Sequence, residues 1–233
     1  MNDKLIFRAF RAIDEPETCM QYMEGHVKVL KDYGITNITS NNNDWMFNPC
    51  MYCVIAVDPE SGEMKGGIRV QVADEKTPLP VEKAVGRMDS KIHQVVHNYF
   101  ENGGVGELCA LWTSKSIAGL GVSVLLTRAG ISITNQLDIK TLVGICAEYT
   151  LKMFTQVGFQ VDYSLGVNGE FPYPNQTYVA RVLGIMNAES LEAAAEYDKV
   201  RMRSLRAIPE QEHTEKETSK EIVVNYLLHM HLK

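Results

Sequence analysis

No stretch of the 233 residues approaches the 18 or more uninterrupted apolar residues that a membrane-spanning helix needs, so no membrane partner is expected. Basic residues do not dominate either. Lys and Arg number 23 against 29 Asp and Glu, a net charge of −6, and a nucleic-acid binder would need a clustered basic face instead. Cysteines are few and odd in number, at positions 19, 50, 53, 109 and 146. Scattered through apolar runs, they suit reduced, buried thiols in a cytoplasmic protein better than a disulfide framework. Cys50-Met-Tyr-Cys53 is a CxxC without the second pair that a structural zinc site requires. The run Tyr52 to Val57 behind it reads as a strand, whereas a redox CxxC wants a helix start. His93 and His97 stand four apart, but no third ligand accompanies them, so no metal is expected. The opening Met-Asn-Asp-Lys-Leu-Ile-Phe-Arg lacks the apolar centre of a signal peptide, and none is expected.

What is present is the composition of an ordinary globular chain, 45% hydrophobic and 22% charged. Lys4 to Ile13 alternates as a first strand, and Met20, Met23, Val27 and Leu30 give helical spacing up to Gly34. Residues 36–50, Asn-rich around Trp45 and Phe47, read as a loop. Met51 to Val57 and Gly66 to Val72 form a hairpin across Asp58-Pro-Glu-Ser-Gly62. A long helix is predicted from Val81 to Tyr99, a strand from Val105 to Thr113, and a helix from about Gly121. Further strands follow at 140–146, 159–165 and 178–185, with a short helix at 149–157. A helix over 188–206, a charged linker and an amphipathic helix over 221–232 complete the pattern. The expected fold is α/β, a mixed and mostly antiparallel central sheet flanked by helices. It divides into a domain of residues 1–186 and a helical C-terminal extension of residues 187–233. The apolar stripe of the last helix needs covering, by its own core or by a second copy in a homodimer.

The segment Glu107-Leu-Cys-Ala-Leu-Trp-Thr-Ser-Lys-Ser-Ile-Ala-Gly-Leu-Gly121 carries most of the functional information. An apolar strand feeds a loop with two glycines, and the loop opens into a helix. The first helical N–H groups lack partners, the helix dipole is positive there, and glycine lets a phosphate approach the backbone. No Asp, Glu or Lys stands between Ser116 and Val122 to obstruct it. As a dinucleotide fingerprint the motif fails, because a third glycine would fall at Val124, and it lacks the Gly-Lys-Ser/Thr of a P-loop.

Residues 107–159 together resemble the GCN5-related N-acetyltransferase (GNAT) superfamily. That family's phosphate loop reads Arg/Gln-x-x-Gly-x-Gly/Ala, and here it is Ser116-Ile-Ala-Gly119-Leu-Gly121. Its later hallmark, a strand, a short helix and an aromatic-x-x-x-Gly-Phe ending, corresponds to Leu142 to Cys146, Tyr149 to Met153 and Phe154-Thr-Gln-Val-Gly158-Phe159. The resemblance implies acetyl-CoA or another acyl-CoA as co-substrate. Backbone groups of Leu111, Trp112 and Thr113 would bind the pantetheine arm. Ser116, Ile117, Ala118, Gly119, Leu120, Gly121 and Val122 would hold the pyrophosphate, with Phe154 against the cofactor. Ser116 replaces the usual Arg or Gln. Phe154 stands where many members place a proton-donating tyrosine, and phenylalanine cannot donate. Tyr149, about one turn earlier, is the nearest substitute. Glu107, at the start of the central strand, is the expected base for a small-molecule amine acceptor.

Three readings stay open at this level. One is an N-acetyltransferase acting on a primary amine. The second is a longer-chain acyltransferase similar to acyl-homoserine-lactone or N-acyl amino acid synthases. Glu107-Leu-Cys-Ala-Leu111 resembles their Glu-Leu-Ser-Arg-Leu strand, although Ala110 replaces the arginine. The third is a non-catalytic acyl-CoA-binding domain. Trp45 to Phe47 and Phe171-Pro-Tyr-Pro174 are candidate walls of the acceptor side.

Overall fold

The computed structural model describes residues 3–32, 34 and 43–232. The part of the predicted 36–50 loop that precedes residue 43 lies outside the described residues, and Asp44–Phe47 forms one 3₁₀ turn. Ten strands form one sheet: β1 (Asp3–Arg11), β2 (Met51–Val57), β3 (Met64–Val72), β4 (Val105–Thr113), β5 (Thr141–Ala147), β6 (Gln160–Val161), β7 (Glu170–Pro172), β8 (Val179–Ile185), β9 (Glu210–Glu215) and β10 (Ile222–Leu227). Their spatial order is β6-β8-β5-β4-β3-β2-β1-β10-β9, with β7 on β8. Only β4/β5 and β1/β10 run parallel among the described pairings. The mixed, mostly antiparallel sheet flanked by helices is the architecture the pattern implied.

Helix α1 (Pro16–Asp32) covers one face of the central strands together with the short α2 (Pro80–Val85) and α3 (Lys91–Glu101). Helix α4 (Val122–Ser132), nearly all buried, and α6 (Glu196–Ala207) cover the other. The helix predicted over 81–99 is thus two helices. Gly86 closes the first, and Asp89 accepts the Lys91 N–H at 3.0 Å at the start of the second. Helix α5 (Leu151–Gln156) follows β5.

The C-terminal extension needs correction. It contains one helix, α6, and then a β-hairpin that continues the main sheet rather than a helical appendage. Ile222, Val224, Tyr226, Leu228 and Met230 are buried in strict alternation. The same stretch satisfies helical spacing at 222, 223, 226, 227 and 230, and β-branched residues with a period of two decide for the strand. The charged linker before it is β9, an edge strand on which charge discourages pairing with other chains. Because β10 sits between β1 and β9 and Tyr226 meets Phe7 edge-on at 5.4 Å, the hairpin belongs to the core. Truncation after Pro209 is expected to lower the melting temperature by at least about 10 °C or prevent folding. An unchanged melting curve by circular dichroism would contradict that placement.

Candidate active site

Strands β4 and β5 pair only from Val105–Glu107 to Thr141–Val143. Beyond that point they diverge, and the β5-facing edge of residues 108–113 is left unpaired with β5. On its other side β4 stays paired with β3, but the register slips between Gly67–Trp112 and Arg69–Cys109. The slip is a bulge in which Ala110 adopts φ +51°, a left-handed conformation uncommon for a residue with a side chain. The Tyr22 hydroxyl of α1 donates to the Ala110 carbonyl and holds it. Tyr22 can reach because Gly67 leaves room for its ring. The divergence opens a cavity of about 220 Å³ lined by apolar side chains that include Leu30, Ile68, Leu108, Leu111, Ile145 and Phe154. Tyr149, Tyr173 and Pro174 also line it.

At the far end of β4 the chain turns through a short 3₁₀ segment, Lys115–Ile117, and reaches Gly121, the N-cap of α4. Gly119 and Gly121 have φ of +79° and +74°, which only glycine adopts without strain. No side chain caps α4. Among the described residues the N–H groups of Gly119, Gly121, Val122 and Ser123 find no hydrogen-bond partner. Four unpaired donors at the positive end of an 11-residue helix fit a phosphate-bearing group.

Of the other sequence-derived residues, the backbone of Leu111, Trp112 and Thr113 leads from the cavity to this loop, while the Trp112 side chain packs edge-on to Tyr22 at 5.8 Å. Ser116 and Ser114 share a hydroxyl contact of 3.0 Å, so Ser116 closes the loop upon itself instead of extending a charged arm. Leu120 is core. Phe154 lines the cavity and meets Phe159 edge-on at 5.5 Å, which suits a packing role. Tyr149 stands at the cavity rim, 76% exposed. Of the aromatic loops, Trp45 is buried against Tyr22, Phe47 is exposed and Phe171 is core.

Glu107 is not an exposed strand-start carboxylate. It is fully buried, its Oε2 accepts the Val81 N–H of α2 at 2.7 Å, and its Oε1 has no partner among the described residues. Burial pushes its carboxyl up to about 8, against the opposing pull of the Val81 N–H and the Arg69 charge. It shares a face of the sheet with Cys109, next to the bulge. Burial also pushes the Cys109 thiol up to about 12, towards the neutral thiol.

Arg69 was not singled out from the sequence. Its strand position opposes Cys109, it is 2% exposed, and its guanidinium lies 4.2 Å over the Trp45 ring. Its Nε has no hydrogen-bond partner, and no carboxylate pairs with it among the described residues. Burial and this charge lower His26 to about 4, so His26 is neutral at physiological pH. A buried arginine without an ion pair is costly unless something answers it. The readable signal was the alternation Gly67, Arg69, Gln71, which puts a charge inside a strand that the sheet buries on both faces.

No family model and no curated protein sequence matches the chain. Solved structures do. FeeM, an N-acyl amino acid synthase from uncultured soil microbes, superposes with a TM-score of 0.61 at 11% identity, over 84% of this chain and 97% of that one. BjaI, a CoA-dependent acyl-homoserine lactone synthase, gives 0.55 at 10% identity over 95% and 94%. An acyl-CoA N-acyltransferase from Pseudomonas aeruginosa gives 0.54 at 10% identity over 77% and 98%. The chain therefore has the GNAT-type acyl-CoA N-acyltransferase fold. A match over 95% of the chain has to include most of the stretch after β8.

Proposed function

We propose that the chain is an N-acyltransferase that moves an acyl group directly from coenzyme A to a primary amine held in the same complex. The observation that carries this reading is the continuity of one feature. The β4–β5 divergence, the bulge at Ala110 and the unpaired donors at Gly119, Gly121, Val122 and Ser123 form a single track from an apolar cavity to an anion site. Leu111, Trp112 and Thr113 would take the pantetheine arm by their backbone, and residues 116–122 the pyrophosphate. The amine nitrogen attacks the thioester carbonyl, Glu107 receives its proton directly or through water, and the thiolate leaves. Tyr149 is the candidate donor to that thiolate.

The apolar lining favours an acyl group longer than acetyl, and FeeM as an N-acyl amino acid synthase and BjaI as an acyl-homoserine lactone synthase agree with that second reading. Acetyl transfer is the alternative. The acceptor reading follows from Arg69: a buried cation beside the bulge suits an amine that carries a carboxylate.

Thermal shift with acetyl-, butyryl- and octanoyl-CoA, then mass detection on an amine panel, tests all of this. Octanoyl-CoA is expected to stabilise more than acetyl-CoA, and phenylalanine to be acylated in preference to phenethylamine. Arg69→Met should raise KM for the carboxylate-bearing amine by about tenfold or more with coenzyme affinity unchanged. Equal acylation of both amines would overturn the acceptor reading. A shift with CoA thioesters but no acylation of any amine would favour the non-catalytic alternative, and the absence of a shift with every CoA species would overturn all three readings.

A further inference from the structure

The start of α4 is uncapped although a carboxylate lies beside it. Glu217 sits in the turn 216–221 between β9 and β10, and its side chain packs so closely on Gly121 that a methyl there would overlap the Glu217 Cβ. The Thr218 hydroxyl donates to the Gly119 carbonyl at 2.8 Å and fixes the turn on the loop. An acidic side chain in such a place would ordinarily accept from the free N–H groups and satisfy the helix end. Glu217 does not. Its carboxylate accepts from Arg128 Nη1 instead.

Arg128 lies about two turns further into α4, and helical side chains lean towards the N-terminus, which brings its guanidinium to Glu217. It is 1% exposed and is held from behind, with Nε donating to Asp198 of α6 at 2.5 Å. Asp198 is steadied in turn by Gln156 at 3.1 Å. Glu215 lies 3.8 Å from the same Nη1 but is engaged by Arg201 at 2.8 Å and by the Tyr226 hydroxyl at 2.8 Å. Glu217 is thus the member of the cluster that reaches from the buried network to the loop.

We propose that Arg128 is a positioning residue that holds the Glu217 carboxylate off the start of α4 and so keeps the phosphate site open to the coenzyme. The inference rests on the reading of the 116–122 loop as that phosphate site. Released from Arg128, the carboxylate takes the N–H donors itself and repels the incoming anion. The C-terminal hairpin thereby becomes part of the coenzyme site.

Shortening the acid separates the possibilities. Glu217→Asp keeps a carboxylate next to Gly121 but withdraws it from Arg128, and is expected to weaken octanoyl-CoA and CoA binding by about tenfold, the scale of a charge at a helix end. Glu217→Gln removes the competing charge and should bind within about twofold of the parent. Arg128→Gln should weaken binding, and adding Glu217→Gln should restore it. If Arg128→Gln does not fold, the two Glu217 variants decide alone. Equal binding by Glu217→Asp and the parent overturns the proposal, as does a loss in Glu217→Gln as large as in Glu217→Asp. A parent that binds no CoA species overturns the reading of the phosphate site as well, so the two failures are distinguishable.

Discussion

Glu107→Gln is expected to lower turnover by about 10²–10⁴-fold while coenzyme affinity stays within about twofold, the usual cost of removing a positioned base. A carboxyl raised to about 8 is mostly protonated at pH 7, so the parent rate should rise as pH passes through that value. The rise should vanish in the variant. A variant whose rate equals the parent's across pH 6–9 would remove Glu107 from the chemistry.

The same residue has a stability consequence of defined sign. Its folded value lies above the ordinary 4.5, so the folded state prefers the neutral form. That preference stabilises nothing extra while both states are protonated, below about 4.5. As pH rises towards about 8 the folded state is increasingly penalised for keeping the group buried, and above 8 the loss is complete. Glutamine carries no such penalty. Glu107→Gln should therefore melt higher than the parent at pH 9 and close to it at pH 4.5, so the substitution that impairs catalysis should improve alkaline stability. Lower melting of the variant at both values would mean that the carboxylate is answered by a charge in the folded state.

The strand, loop and helix from Val105 to Ser132 were legible because their signals are local. An apolar run, two glycines and a helical stripe follow one another within a few turns. Glu107 was legible as a candidate, but its burial was not, since Val81 N–H comes from a helix 26 positions earlier in the chain. Arg69 gains its meaning from Trp45 and Cys109, which the sheet register and the packing of the 44–47 turn bring to it. The bulge at Ala110 carries no glycine or asparagine to announce it, and the Tyr22 hydroxyl that holds it comes from the opposite layer. The C-terminal hairpin was misread because two periodicities share the positions 222, 226 and 230. Long-range pairing with β1, which no local pattern encodes, selects the strand.

Gly119→Asp is expected to abolish stabilisation by acyl-CoA, which in the parent amounts to about 2.7 kcal/mol at one hundred times the dissociation constant. The choice of glycine matters. At Gly121 a side chain would overlap Glu217, so an effect there could come from displacement of the hairpin. At Gly119 no atom lies within 4 Å of the added Cβ, and aspartate is among the residues that best tolerate the left-handed φ of +79°. The new carboxylate would lie beside the unpaired N–H groups of Gly121, Val122 and Ser123, able to accept from them and to repel a phosphate. The apo variant should melt within a few degrees of the parent, since an internal cap offsets the backbone strain. Gly119→Ala supplies the strain without the charge and should retain most of the shift. Loss of the shift in both variants would make the loop's backbone geometry, rather than its positive potential, the feature that binds the coenzyme. An undiminished shift in Gly119→Asp would place the phosphates away from the start of α4 and remove the observation on which the acyl-transfer reading stands.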